Sequence, residues 1–155
     1  NPGGRICVIS YPSLDEEKKI VRQQLGSERP TVKPVVSTAD IIRAREVVKE
    51  VYLDERIEQY IADIVFATRY PEQYKMGELT KYIGFGGSPR ASICLALAAR
   101  ACAFLSRRGY VVPEDVRAVA HDVLRHRIGL TYEAEAAGVS PDDIVTEVLN
   151  KVEVP

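Results

Sequence analysis

The sequence predicts a mainly α-helical protein, a bundle of about five or six helices preceded by a single strand. Three observations lead there. Helix-start signals recur down the chain, each followed by apolar residues at helical spacing. A long Ala-rich apolar stretch, Pro89 to Arg108, supplies a centre for the bundle. Only Arg5-Ile6-Cys7-Val8-Ile9-Ser10 has the β-branched, apolar character of a buried strand.

A strand this apolar wants neighbours on both sides, as in a parallel sheet, and no other segment matches it. Residues 1–12 therefore read as the remnant of an α/β core, and residues 13–155 as a helical domain. The chain opens Asn1-Pro2-Gly3-Gly4 and its only methionine is Met76, so a piece of a longer protein is expected.

The helical elements follow in order. Ser13 and Glu16 form a capping box that opens a charged helix to Leu25, closed by Gly26. Ser27 to Val36, with Pro30 and Pro34, is a linker. Ser37 and Asp40 make a second box, and Ile41, Ala44, Val48, Val51 and Tyr52 mark one helical face. Asp54 starts a third helix with Ile57, Tyr60, Ile61, Ile64, Val65 and Thr68 in register. Tyr70 to Gly87 is a loop-rich stretch. The apolar fourth helix runs from Pro89 to Arg108, with Arg107 and Arg108 before Gly109 suiting its end. Pro113 opens a fifth helix bearing Val116, Val119, Ala120, Val123, Leu124 and Ile128. A polar connection, Thr131 to Val139, leads to a last helix at Ser140-Pro141-Asp142-Asp143.

Composition narrows function. Hydrophobic residues make up 46% and charged residues 28% of the 155, as in an ordinary soluble domain. Lys+Arg 21 against Asp+Glu 22 leaves a charge of -1, so no global field draws in nucleic acid or an anionic membrane. The longest apolar run, Ala91 to Leu105, is broken by Arg100, which argues against a membrane span. The three cysteines, Cys7, Cys94 and Cys102, lack CxxC spacing, and Cys94 and Cys102, on an apolar helix, fit small core residues in a reducing cytoplasm.

The most informative motif is Gly86-Gly87-Ser88-Pro89-Arg90. Ser88 is a natural N-cap and Pro89 suits the first helical position. Arg90 then meets the positive end of the helix dipole, which costs roughly 0.3–1 kcal/mol unless an anion compensates. A bound phosphate would do so, and the glycines would let it approach the backbone. The competing reading is a surface arginine paired with a carboxylate such as Glu78. A dinucleotide fingerprint fails because position 89 is proline, and no Walker A loop occurs. His121 and His126, at i and i+5, do not share a face as metal ligands would, so no metal site is expected. No Ser/His/Asp arrangement supports a nucleophile; Ser88 and Ser140 are caps. Thr131-Tyr132-Glu133-Ala134-Glu135 has no catalytic geometry.

Two stretches resemble the MoxR family of AAA+ ATPases, in the part that follows the nucleotide-binding core. One is Gly87-Ser88-Pro89-Arg90-Ala91, similar to the family's sensor 2 motif. The other runs from His126-Arg127-Ile128-Gly129-Leu130 through Thr131-Tyr132-Glu133-Ala134-Glu135 to Ser140-Pro141-Asp142-Asp143-Ile144-Val145. Val8-Ile9-Ser10-Tyr11-Pro12-Ser13 looks like the last strand of the core and the turn leaving it.

The resemblance implies an α-helical AAA+ lid hinged on an ATPase core that carries Walker A and B motifs, sensor 1 and an arginine finger, all absent from these residues. It implies that Arg90 is the catalytic sensor 2 arginine, contacting the terminal phosphate of ATP, with Gly86, Gly87, Ser88 and Pro89 shaping the site. The Mg ion would sit in the core. Family members are thought to be ring-forming, chaperone-like, cytoplasmic ATPases that work with von Willebrand A domain proteins; methanol dehydrogenase maturation gave the family its early label. The chain alone is expected to be inactive. The alternative is a free-standing helical adaptor that binds a protein partner through Tyr70, Tyr74, Tyr82 and Phe85 without nucleotide.

Overall fold

The computed structural model describes residues 9–26 and 32–155. The strand expected over Arg5–Ser10 lies outside the described residues except for Ile9 and Ser10, which are exposed and not in a strand. Part of the expected linker, 27–31, also lies outside them.

Seven α-helices occur among the described residues: α1 (Leu14–Leu25), α2 (Thr38–Glu50), α3 (Glu55–Ala67), α4 (Pro89–Leu105), α5 (Pro113–Leu124), α6 (Tyr132–Ala137) and α7 (Pro141–Lys151). Two short 3-10 turns, Pro71–Tyr74 and Gly77–Leu79, and two short strands, β1 (Ile83–Phe85) and β2 (Gly129–Leu130), complete the set. The mainly α fold class stands.

The caps form as the side-chain chemistry dictates. The Glu16 carboxylate accepts from the Ser13 amide at 2.8 Å and hydroxyl at 2.7 Å, closing the first box. Ser37 with Asp40 and Ser140 with Asp143 repeat the arrangement. These bonds pull the carboxyls of Glu16, Asp40 and Asp143 below their ordinary range, because each favours the ionised form. Asp54 caps α3 by accepting from the Arg56 amide at 3.0 Å.

The core lies between α3, α4, α5 and α7. α4 packs chiefly on α5, then on α3 and α2; α5 also packs on α7, and α3 touches both α5 and α7. Tyr60, Ile64, Val65, Leu95, Val116, Val123, Leu124, Ile144 and Val148 are fully buried there. Every apolar position read on the third and fifth helices, Ile128 included, is buried.

Four expectations need correction. The second helix ends at Glu50, so Val51 and Tyr52 leave it as extended chain. Val51 is buried, whereas Tyr52 forms a parallel bridge with Tyr110 and stays exposed, as does Ile41. α4 is central but not buried all round, since Ile93, Leu97 and Leu105 are exposed along one side. It also stops earlier than predicted, at Leu105. Arg107 takes the left-handed conformation (φ 58°), and the Arg108 amide reaches back to the Ala103 carbonyl at 2.9 Å, so the chain has turned before Gly109. Finally, the polar connection after Leu130 contains a helix. Thr131 caps α6 by accepting from the Ala134 amide, and Gly138 (φ 69°) ends it.

β1 and β2 pair antiparallel, joining the loop-rich stretch to the segment after α5. Phe85 lies across Gly129, where any Cβ would strike its ring.

Candidate functional site at the start of α4

The five motif residues lie together at the junction of β1 and α4. Gly86 is half-buried and Gly87 buried, while Ser88, Pro89 and Arg90 are exposed. Ser88 holds the N-cap position with extended backbone and Pro89 the first helical position. The Ser88 hydroxyl, however, makes no capping bond, which corrects its reading as a side-chain cap. The Ala91 amide bonds the Ser88 carbonyl at 2.7 Å instead. Pro89 has no N–H to offer, and the Arg90 amide has no acceptor among the described residues.

Arg90 itself has no carboxylate within salt-bridge distance among the described residues, Glu78 included. The site therefore presents an unpaired guanidinium and an unpaired helix-start amide on one residue. Both donate, and among the described residues neither is neutralised. Such a donor set fits a phosphate-bearing anion.

The loop is held from behind by α3. Thr68, fully buried, accepts the Gly87 amide at 2.9 Å through Oγ1 and donates to the Val65 carbonyl at 2.7 Å. A Cβ at Gly86 would run into the Thr68 carbonyl. At Gly87 it would press on Ala91 Cβ at 3.2 Å and Val65 Cγ1 at 3.3 Å. Close approach of the Thr68 backbone requires Gly86, Gly87 is seated tightly between Val65 and Ala91, and neither has a left-handed backbone. Arg69, next along, places its guanidinium 4.8 Å from the centre of the Phe66 ring, and its buried Nε has no hydrogen-bond partner among the described residues.

Sequence reasoning assigned Thr68 only to a helix face and passed over Arg69. No spacing rule connects the end of one helix to a loop 19 residues on. The aromatic stretch divides. Tyr74 turns inward and donates to Asp63 at 2.7 Å, and Tyr82 packs partly on the core, whereas Tyr70 and Phe85 are exposed. His121 contacts Thr146 Oγ1 at 3.0 Å. Burial and the neighbouring Arg127 and Arg125 charges push the His126 imidazole down. The two histidines are not brought together with other ligating groups: among the described residues no cluster of three His, Cys, Asp or Glu side chains occurs.

A family model described as the AAA lid domain matches residues 79–148, spanning this loop, α4, α5 and most of α7. Chaperone MoxR1 of Mycobacterium tuberculosis is 40% identical over 147 residues, 95% of this chain and 39% of its own length. This chain carries a MoxR-type AAA+ lid domain. The YeaC protein of Bacillus subtilis is 36% identical over 95% of this MoxR-type chain and 43% of its own. The crystal structure of an ATPase candidate from Cytophaga hutchinsonii superposes with a TM-score of 0.88 at 38% identity, over 95% of this chain and 45% of that one. The MoxR-type lid thus spans less than half the length of each of these relatives. Among its described residues, no helix is long and apolar enough to cross a membrane.

Proposed function

We propose that this lid closes over ATP bound to a MoxR-like ATPase core, and that Arg90 is its sensor 2 arginine. The observation that carries the reading is Arg90 at the second position of α4, unpaired among the described residues, on a loop fixed to the end of α3. Bound ATP would supply the terminal phosphoryl group whose negative charge a fixed cation stabilises during transfer to water. Arg90 would bind and orient that charge. Pro89 and the clamped glycines hold the arginine's backbone, so little reorganisation is needed when the anion arrives. Because α4 packs on α3, α5 and α2, a pull on Arg90 is transmitted to the whole bundle. This is the link from nucleotide state to lid position, and on the family's pattern to the work of a ring.

The adaptor reading draws less support. Tyr74 and Tyr82 have internal roles, which leaves Tyr70 and Phe85 of the proposed aromatic surface.

The test is steady-state ATP turnover by the polypeptide in which this lid is joined to its core. Arg90→Ala is expected to lower kcat by roughly 10²- to 10³-fold, the range for removing one fixed donor from developing charge. Arg90→Lys should recover part of it, since a point charge replaces a planar fork. Turnover equal to wild type in Arg90→Ala would contradict the assignment.

A further inference from the structure

We infer that Thr68 is a positioning residue for Arg90, acting through the Gly87 amide. The inference rests on the reading of Arg90 above and extends it to a side chain that touches no ligand.

Thr68 stands where α3 ends, with its backbone still helical (φ -71°, ψ -18°) and no exposed surface. Its hydroxyl has one proton and two lone pairs. The proton goes to the Val65 carbonyl at 2.7 Å, and a lone pair takes the Gly87 N–H at 2.9 Å. The first bond ties the hydroxyl to its own helix, so the second ties the loop to that helix. Gly87 is buried, and among the described residues its amide has no other acceptor. Gly86 lies against the Thr68 carbonyl too closely for any side chain. Thus both glycines rest on Thr68, the C-cap of α3.

Among the described residues no side chain caps this helix start, and Pro89 fixes only its own backbone angle. Ser88 contributes position but no side-chain bond, and Pro89 has no N–H. The register of α4 against α3 at its first turn is therefore set by the Thr68 bond and by the tight seat of Gly87 against Val65 and Ala91. Arg90 lies three residues beyond Gly87, within that same turn. A shift of the Gly87 amide moves the Arg90 backbone with it. Losing the acceptor while keeping the shape should therefore misdirect the guanidinium without emptying the core.

The experiment is a double-mutant cycle on ATP turnover by the polypeptide that joins lid and core, with Thr68→Val, Arg90→Ala and the double variant. Valine keeps the shape of threonine and removes the acceptor. Thr68→Val alone is expected to lower kcat about tenfold, as small misplacements of a reacting group do. In the Arg90→Ala background it should change kcat less than about twofold, because the residue it positions is gone. Thr68→Ser should restore most of the loss. If the two effects multiply, or if Thr68→Val alone is fully active, Thr68 is only structural and the inference falls. If Arg90→Ala is itself fully active, the reading of Arg90 falls, a result distinct from either. Should Thr68→Val not fold, Thr68→Cys, of similar size and a poor acceptor, takes its place in the cycle with the same expectations.

Discussion

Arg108 and Asp115 meet through two hydrogen bonds, Nη1 to Oδ2 at 2.7 Å and Nη2 to Oδ1 at 2.5 Å, joining the turn after α4 to the first turn of α5. Asp115 also accepts the Val112 amide at 2.9 Å and is almost wholly buried. Burial alone would raise its carboxyl. The bonds from Arg108 and Val112 outweigh that and hold it below the ordinary carboxylate value. The pair fixes the corner between the two helices that pack most extensively on each other.

Asp115→Asn should therefore cost about 3 kcal/mol at neutral pH, as breaking one side of a buried pair does. For a chain of this length that lowers the melting temperature by roughly 6–12 °C. Because the folded value is depressed, the wild-type contribution is complete above the ordinary carboxylate value. It is lost as pH falls through the lower folded value. The gap between wild type and variant should thus close at acid pH in a series of thermal melts. A gap that stays constant with pH would count against an ionised Asp115.

Tyr74 predicts the opposite limb. Burial, its bond to Asp63 and the Asp63 charge push the phenol up to about 12. Between its ordinary value near 10 and about 12, the folded state keeps a proton that the unfolded chain releases, so stability falls as pH rises. Tyr74→Phe should remove this alkaline slope. Denaturant titrations across that range would show it, and an unchanged slope would assign the loss to another group.

Gly86→Ala tests the clamp by space alone. The new methyl meets the Thr68 backbone carbonyl, which cannot swing aside as a flexible side chain would. The loop must shift, at about 1–3 kcal/mol. Urea denaturation of the 155-residue chain should register the loss. Stability equal to wild type would mean that the loop moves freely from α3.

Leu95→Ala addresses the centre of the bundle. Leu95 is fully buried on α4, and its truncation is expected to cost about 2–5 kcal/mol. Calorimetry showing less than 1 kcal/mol would place the core elsewhere.

How much of this was legible in the sequence depended on whether the deciding contact was local. Ser13, Ser37, Asp54 and Ser140 announce their helices because a cap bonds within its own first turn. Ile57 to Val65 and Val116 to Leu124 were legible because burial on one face follows from the helical period. Two of the failures originate in distance. Ile83 pairs with Leu130, and Thr68 bonds Gly87, through contacts that no local pattern encodes. The exposed side of α4 is similar: an Ala-rich sequence states that a helix is apolar, not how many of its faces neighbours will cover. α6 was missed because its polar residues hide the period, although Thr131 carried the cap. At the site, Gly86 to Arg90 were legible as a helix start. The Arg90 position was found by its conflict with the dipole, whereas the support behind it was not.

The central claim is that Arg90 reads the terminal phosphate, and the most direct measurement is the ratio of ADP to ATP dissociation constants. It should be taken on the polypeptide that joins this lid to its core, for wild type and Arg90→Ala, by titration calorimetry. Wild type should prefer ATP, and the variant should lose roughly 10- to 100-fold of that preference, the worth of a charge-assisted bond to the extra phosphate. ADP affinity should stay close to wild type. An unchanged ratio, with both nucleotides bound as before, would contradict the claim.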